Sequence, residues 1–435
     1  MQTTSTSITI IAAAVAGLFA TTPLHAAEEP AKEAAKTEEL TPAYADTTLS
    51  SDWGGGRSRL AKDGLVFEGL LRYDTLKNKG ALSNGTRGVS HVDIKLKADL
   101  ETLWGWKGST AMLNVLSDSG NGPNTRHVGS LMGVTNLEVS APTTTRLFQA
   151  WVQQALFDDR LSVLAGIYPI DSEFFTVDSA AVFIKPEYGP PAEMSTTRGL
   201  SIFNNAAFGI RTKVQSSDKS LYAMWALMDG IPNDPAHPKR TVIKFAKGDG
   251  AFNIGEIGWL PEAANDKVEG HAKLAIGVWA YTSRVNDLVD VDAAGNPLQR
   301  RSHGAYVLAE KTLVRLGDDG TRYITGFARH GWTDGDSTSL KNSVNLGLHV
   351  KGPVASRADD IIGLAWTRAG VGNKWRTTQL PTPIASSEEA LEVTYRYAVT
   401  PWFAVQPNIQ RVRHPGGRAD LPNAKLIGAR LELAL

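Results

Sequence analysis

Residues 92–101, VDIKLKADLE, alternate apolar and charged side chains without a break. In an extended chain successive side chains point to opposite faces of a sheet. Val92, Ile94, Leu96, Ala98 and Leu100 therefore share one face, and Asp93, Lys95, Lys97, Asp99 and Glu101 share the other. A helix would scatter both sets around its surface. The partition recurs in 221–227, where Leu221, Ala223, Trp225 and Leu227 fall together, and again in 344–350, 390–398 and 424–435. Sustained 3.6-residue periodicity is nearly absent after Leu65. The pattern predicts an all-β chain.

About sixteen strands are expected, several long enough to reach the roughly 9–11 residues that a tilted membrane-spanning strand needs. They lie near 65–76, 90–103, 108–117, 145–157, 160–168, 199–215, 219–228 and 250–259, then 271–284, 302–314, 321–332, 342–351, 359–369, 388–399, 401–411 and 424–435. Short connections (104–107, 158–159, 216–219, 261–269, 317–320, 352–358 and 400) alternate with mostly longer ones (77–89, 118–144, 169–198, 229–249, 285–301, 333–341, 370–387 and 412–423). Short turns at one end and long loops at the other are the pattern of a transmembrane antiparallel β-barrel of the outer-membrane type. An even strand number places both termini on the periplasmic side.

Composition fits this reading. The mean hydropathy of -0.18 leaves no room for a bundle of membrane helices. A closed barrel satisfies its own backbone groups and needs only its outer face apolar. Lys and Arg total 45 against 45 Asp and Glu, so no basic excess points to nucleic acid. Cysteine is absent, which removes disulfides, thiolate metal sites and Cys nucleophiles together.

The N-terminal stretch Ile8–Ala20 is apolar but too short to span a bilayer. With small residues at Ala26 and Ala27, residues 1–26 read as an export signal. Residues 27–50, rich in Ala, Glu, Lys and Thr, read as a periplasmic tail or spacer. Residues 51–435 form the barrel domain.

Several stretches resemble the carbohydrate-selective porins of the OprB family. They are Ser51-Asp52-Trp53-Gly54-Gly55-Gly56-Arg57, Gly166-Ile167-Tyr168 with Asp171-Ser172-Glu173-Phe174, and Ser201-Ile202-Phe203-Asn204-Asn205. Met228-Asp229-Gly230, Phe252–Trp259, Glu392–Tyr395, Gln406–Gln410 and His414-Pro415-Gly416-Gly417 follow in order. The resemblance implies a sixteen-stranded outer-membrane channel for monosaccharides and related small neutral solutes in a Gram-negative bacterium. Small sugars and outer-membrane lipid are the expected partners, with monomer and homotrimer both open. A general non-selective porin and an exported soluble carbohydrate-binding β-protein are the alternatives.

In a barrel of this size a loop usually folds inward to narrow a wet lumen. The longest loop, 169–198, carries Asp171, Glu173 and Phe174; the loop before it carries Asp118, Asn124 and Arg126. Alternation turns Arg72, Asp74, Lys95, Asn114, Trp151, Arg211 and Arg396 inward. Charges of both signs with aromatics suit a neutral sugar, whose hydroxyls hydrogen-bond while its apolar ring face stacks. The plain reading of each is a solvated wall residue. Thr333-Asp334-Gly335-Asp336-Ser337 is a fragment of a calcium loop without the distal Glu. No HExxH, P-loop or GxSxG occurs. No metal, cofactor or catalysis is expected.

Overall fold

The alternating segments form strands that hydrogen-bond to their chain neighbours and finally to each other's first and last members. The computed structural model describes residues 44–120, 122–139, 143–261, 272–317 and 320–435. The expected signal 1–26, the spacer up to residue 43 and the turn at 262–269 lie outside the described residues.

The first half comprises β1 (Leu65–Lys79), β2 (Gly85–Asp99), β3 (Ser109–Gly120), β4 (Thr144–Leu156), β5 (Leu161–Tyr168), β6 (Ala207–Gln215), β7 (Leu221–Asp229), β8 (Ala251–Trp259) and β9 (Ala272–Tyr281). A two-stranded hairpin, β10 (Val285–Val291) and β11 (Pro297–Arg300), stands apart from the barrel sheet. The barrel resumes with β12 (His303–Arg315), β13 (Tyr323–Thr333), β14 (Leu340–Lys351) and β15 (Ile361–Val371). It ends with β16 (Ser387–Thr400), β17 (Phe403–Arg413) and β18 (Ala424–Ala434). Sixteen of these strands close into one antiparallel barrel. The closing seam pairs β1 with β18, setting Arg72 opposite Glu432 and Leu76 opposite Gly428. Only glycine fits at 428, because a Cβ there would lie 1.9 Å from the Thr75 carbonyl oxygen.

The outer face is apolar. Leu113, Ile210, Val214, Leu221, Ile257, Ile276, Val278, Ile409 and Ile427 all stand exposed at alternate positions. Trp104, Trp106, Phe157 and Trp259 sit exposed in or beside the short connections, as expected of an interfacial aromatic girdle. A broad apolar concavity on this face, with Val214, Trp225, Ile257 and Val278 among its walls, belongs to the same lipid-facing surface.

Three sequence expectations shift. The sixth strand begins at Ala207 and not near 199, so the longest loop runs through 206. Its last turn is folded: Ser201 Oγ donates to the Tyr168 carbonyl at 2.8 Å, and Ile202 bridges Asn205. The connection expected at 77–89 shrinks to 80–84, because β1 and β2 stay paired as far as Asn78 and Gly85. Leu100, expected on the strand face, instead opens a short helix (Leu100–Trp104) capped by the Asp99 carboxylate. Length alternation is therefore lost at 80–84 and at 334–339, though clear at 121–143, 169–206, 230–250, 282–302 and 372–386.

The end of the expected spacer is docked. Tyr44–Thr47 forms one helical turn, and Leu49 N–H donates to the Ala434 carbonyl at 2.8 Å. Buried Arg57 lies 4.1 Å from the Tyr44 ring centroid and donates to the carbonyls of Phe67 (2.9 Å) and Leu435 (3.0 Å). One guanidinium thus ties the preceding segment, the first strand and the chain end together.

Candidate functional site

The lumen is narrowed by two loop segments, 122–139 and 169–206, which fold inward and touch: Asn136 N–H donates to the Ile184 carbonyl at 2.7 Å. The sequence contains the reason. Loop 169–206 is apolar at Phe174, Phe175, Val182, Phe183, Tyr188, Met194 and Leu200, all buried. The wall it faces is apolar on its inner side, with Tyr222, Met224, Met228, Phe252, Trp279, Tyr306 and Phe327. Hydrophobic burial holds the loop against β6–β9, β12 and β13.

Buried backbone groups of these loops then need partners. Inward carboxylates supply them. Glu256 accepts from Phe175 N–H at 2.7 Å, and Glu310 from Asp178 N–H (3.1 Å) and Ser179 N–H (2.9 Å). Glu392 accepts from Ile184 N–H (2.8 Å) and Lys185 N–H (3.2 Å). Glu388 accepts from Leu131 N–H at 2.9 Å. Carbonyls are met in turn: Gln410 donates to Val134 at 2.8 Å and Gln406 to Val182 at 2.6 Å, while Arg329 reaches Glu187 and Gly189. These wall residues were not among the expected site residues. Alternation assigns them a face but not a partner.

Between the two loops and strands β1–β2 lies a cavity of about 420 Å³, within the usual range of small-molecule sites. Its polar rim includes Arg72, His91, Asp93, Asn136, Glu138 and Asp171; Leu131, Pro186, Ile202 and Phe203 supply apolar surface. Phe203 is half-buried and meets the His91 ring edge-on at 5.1 Å.

The expected residues separate into groups. Arg72 and Asp171 line the cavity. Arg72 Nε lies 2.7 Å from Glu432, whose other oxygen takes Arg396 at 2.9 Å, so Arg72 and Arg396 share one carboxylate. Lys95 pairs with Asp93 at 3.1 Å, and Asn114 donates to the same Asp93. Asp118 is buried, 2.8 Å from His91 Nδ1, and accepts from Asn204 at 2.8 Å. Asp74 is buried in a two-pronged pair with Arg430 at 2.7 and 2.8 Å. Arg211 is buried and takes Glu173 at 2.6 Å, which pins the loop to β6. Trp151 donates to Gln149 at 3.1 Å.

Eleven of the thirteen expected residues are outside the cavity lining, and three of these are engaged within the loops themselves. Phe174 is fully buried in the loop–wall core, so its ring offers no stacking face. Asn124 closes its own loop, accepting Ser130 N–H at 2.8 Å and donating to the Ser130 carbonyl at 2.9 Å. Arg126 is exposed within the short helical segment Asn124–Val128, where its carbonyl accepts Ser83 Oγ at 3.1 Å. Conversely Phe203, Asn136 and Glu138 were missed. Phe203 lay inside a stretch read as the start of a strand.

Three loop carboxylates outside the spanning strands, Asp171, Glu187 and Glu193, are held above their usual range, each chiefly by burial. Desolvation pushes Asp171 up to about 6, opposed by the Phe203 N–H. Burial pushes Glu187 up to about 7, against the pull of the Arg329 guanidinium and with the Glu193 carboxyl adding to the rise. Among the described residues no group of three or more His, Asp or Glu is placed to hold a metal ion.

Comparison with known proteins agrees with the architecture. The family model described as carbohydrate-selective porin, OprB family, matches residues 83–435. Porin B of Pseudomonas aeruginosa is 24% identical over 424 residues, covering 88% of this chain and 90% of its own length. The high-pH structure of Pseudomonas putida OprB superposes with a TM-score of 0.80 at 22% identity, covering 90% of this chain and 99% of that one. The outer-membrane channel DcaP of Acinetobacter baumannii is more distant in shape, with a TM-score of 0.53 at 10% identity over 85% of this chain and 97% of its own.

Proposed function

The chain belongs to the carbohydrate-selective porins of the OprB family, and from that premise we propose that it passes monosaccharides through the 420 Å³ constriction by downhill diffusion. It is an outer-membrane carbohydrate channel. The observation that carries the finer reading is the pairing of charges of both signs with one half-buried aromatic, Phe203, in the same narrow cavity.

A sugar entering the constriction exchanges water for Arg72, Asp93, Asn136 and Asp171. Its apolar ring face passes over Phe203. Arg72 and Arg396 are already partly neutralised by Glu432, and Lys95 by Asp93, so the field has no strong single sign. An uncharged solute gains hydrogen bonds there without a deep electrostatic trap, and it can leave again. The long loops face the exterior and both termini the periplasm in this reading. Transport needs no bound cofactor and makes or breaks no covalent bond.

Proteoliposome swelling tests this directly. Glucose should enter faster than an uncharged polyol of equal or smaller size, and added glucose should interrupt single-channel current. Permeation scaling with solute size alone would leave a general porin.

A further inference from the structure

Loop 230–250 joins β7 to β8, yet it does not stand above them. It folds back over the rim toward β6, β5 and β4: Asn233 donates to Asn205 of the constriction loop, and Arg146 of β4 donates to the Pro238 carbonyl at 3.0 Å. Thr241 Oγ1 donates to the Leu147 carbonyl, and the Phe245 ring meets Phe208 edge-on at 5.9 Å. Phe208 shares the outward face of β6 with Ile210 and Val214, while Arg211 on the opposite face reaches the lumen loop. A cavity of about 700 Å³ opens where the loop meets Thr145, Arg146, Leu147 and Ile167, and Lys239, Arg240 and Ile243 close it.

The loop's own chemistry is amphipathic. Ile243 and Phe245 are 54% and 67% exposed on a surface that already faces lipid. Lys239, Arg240, Lys244 and Lys247 surround them, all exposed. Lys244 is matched by Asp234 at 3.0 Å. For Lys239, Arg240 and Lys247 no carboxylate lies within ion-pair distance among the described residues. A belt of exposed cations beside exposed aliphatic and aromatic side chains, at the rim of a lipid-facing wall, is complementary to an amphiphile with an anionic head. It needs phosphate at the level of the cations and acyl chain at the level of Ile243 and Phe245.

We propose that loop 230–250 and the outer ends of β4–β6 form a binding site for a phosphorylated glycolipid of the outer leaflet. Lys239 and Arg240 take its phosphates, and Ile243 and Phe245 take its acyl chains. The site rests on the orientation proposed above, with long loops outward, and is separate from the lumen.

Native mass spectrometry of the full-length protein in detergent, titrated with bisphosphorylated lipid A, tests it. The wild type should bind this lipid about tenfold or more tightly than phosphate-free lipid A. Lys239→Ala with Arg240→Ala should abolish that preference, and Phe245→Ser should weaken both lipids. Glucose flux and heat-modifiable gel mobility should stay at wild-type values in all variants, showing an intact barrel. Unchanged lipid preference in the double variant would overturn the proposal. So would equal competition by inorganic phosphate alone, which would mark a plain anion site. A change in oligomeric mass with no change in lipid binding would assign the patch to a second copy of the chain and overturn it too. Because the chain has no cysteine, Lys247→Cys reports orientation separately through an impermeant maleimide on intact cells. Labelling is expected. Labelling without lipid binding would sink the lipid site alone, and absent labelling would sink the orientation.

Discussion

Glu310, on the inner wall, accepts both the backbone N–H (2.9 Å) and the hydroxyl (2.7 Å) of Ser179, which lies 131 residues earlier in the chain. The pair states how this channel is narrowed. The loop's apolar side chains bring it to the wall, and carboxylates on separate strands then hold it in one place. A buried N–H without a partner costs about 1–3 kcal/mol, so each carboxylate matters more for what its loss exposes than for its own net contribution.

Glu310→Ala strands two N–H groups and a hydroxyl of the 178–179 turn. Local loosening of the constriction loop by about 2–4 kcal/mol is expected, with the barrel intact. Backbone exchange at 178–180 should accelerate and single-channel current should become noisier and larger. Glu310→Gln keeps an acceptor and should fall between. Quiet wild-type conductance in Glu310→Ala would show that apolar packing alone fixes the loop.

Arg72→Ala leaves Glu432 with Arg396 alone. The cavity loses one positive charge, and the reversal potential in a salt gradient should move toward cation preference. Glucose block should weaken as a hydrogen-bond donor is lost. Unchanged selectivity and block would remove Arg72 from the permeation path.

Phe203→Ala should shorten sugar-induced current blocks. Aromatic contacts contribute about 0.5–1.5 kcal/mol, equivalent to roughly a 2- to 12-fold change in residence. Phe174→Ala provides the contrast. It removes a ring from a packed core, so it should destabilise the loop by about 3–5 kcal/mol and act through loop order, seen by exchange.

The contrast between these two phenylalanines shows what the sequence could and could not disclose. Period-two alternation fixed the barrel wall because lipid outside and water inside impose opposite chemistry on every strand. Arg72, Lys95 and Arg396 were expected to face the lumen on that ground, and Arg72 lines the cavity. Alternation fails where the backbone does. The irregular pairing of Asn114 with Gln149 and Val115 with Leu147 leaves Phe148 as an extra residue, and the buried face changes phase there. In loop 169–206 no period relates position to direction, so Phe174 was expected at the constriction while Phe203 was read into the following strand. The loop's partners, Glu256, Glu310 and Glu392, lie on distant strands and read as ordinary wet-wall residues until the barrel closes.

A second, outer clasp gives the pH dependence. Asp287 of hairpin β10–β11 accepts Lys374 Nζ at 2.6 Å and Arg300 Nε at 2.9 Å, and Lys374 also meets Asp290 and Asp336, each at 2.7 Å. Burial opposes the Asp287 charge, but Lys374, the N–H groups of Val289 and Asp290, and Arg300 outweigh it and hold its carboxyl well below the ordinary 3.8. Burial likewise opposes the Lys374 charge, but its three carboxylates hold the ammonium above the ordinary 10.5. A depressed carboxyl contributes stability that is present above 3.8 and is lost as pH falls through its folded value. A raised ammonium contributes stability that is present below 10.5 and is lost as pH rises through its folded value. The hairpin should therefore stay clasped between about pH 4 and 10 and loosen only beyond both limits. Limited proteolysis at 285–300 across pH, with the Lys374→Met variant for comparison, measures this. The variant should be cut faster at neutral pH and lose the plateau. A hairpin that opened near pH 6 in the wild type would contradict the assignment of Asp287 and Lys374 as the controlling pair.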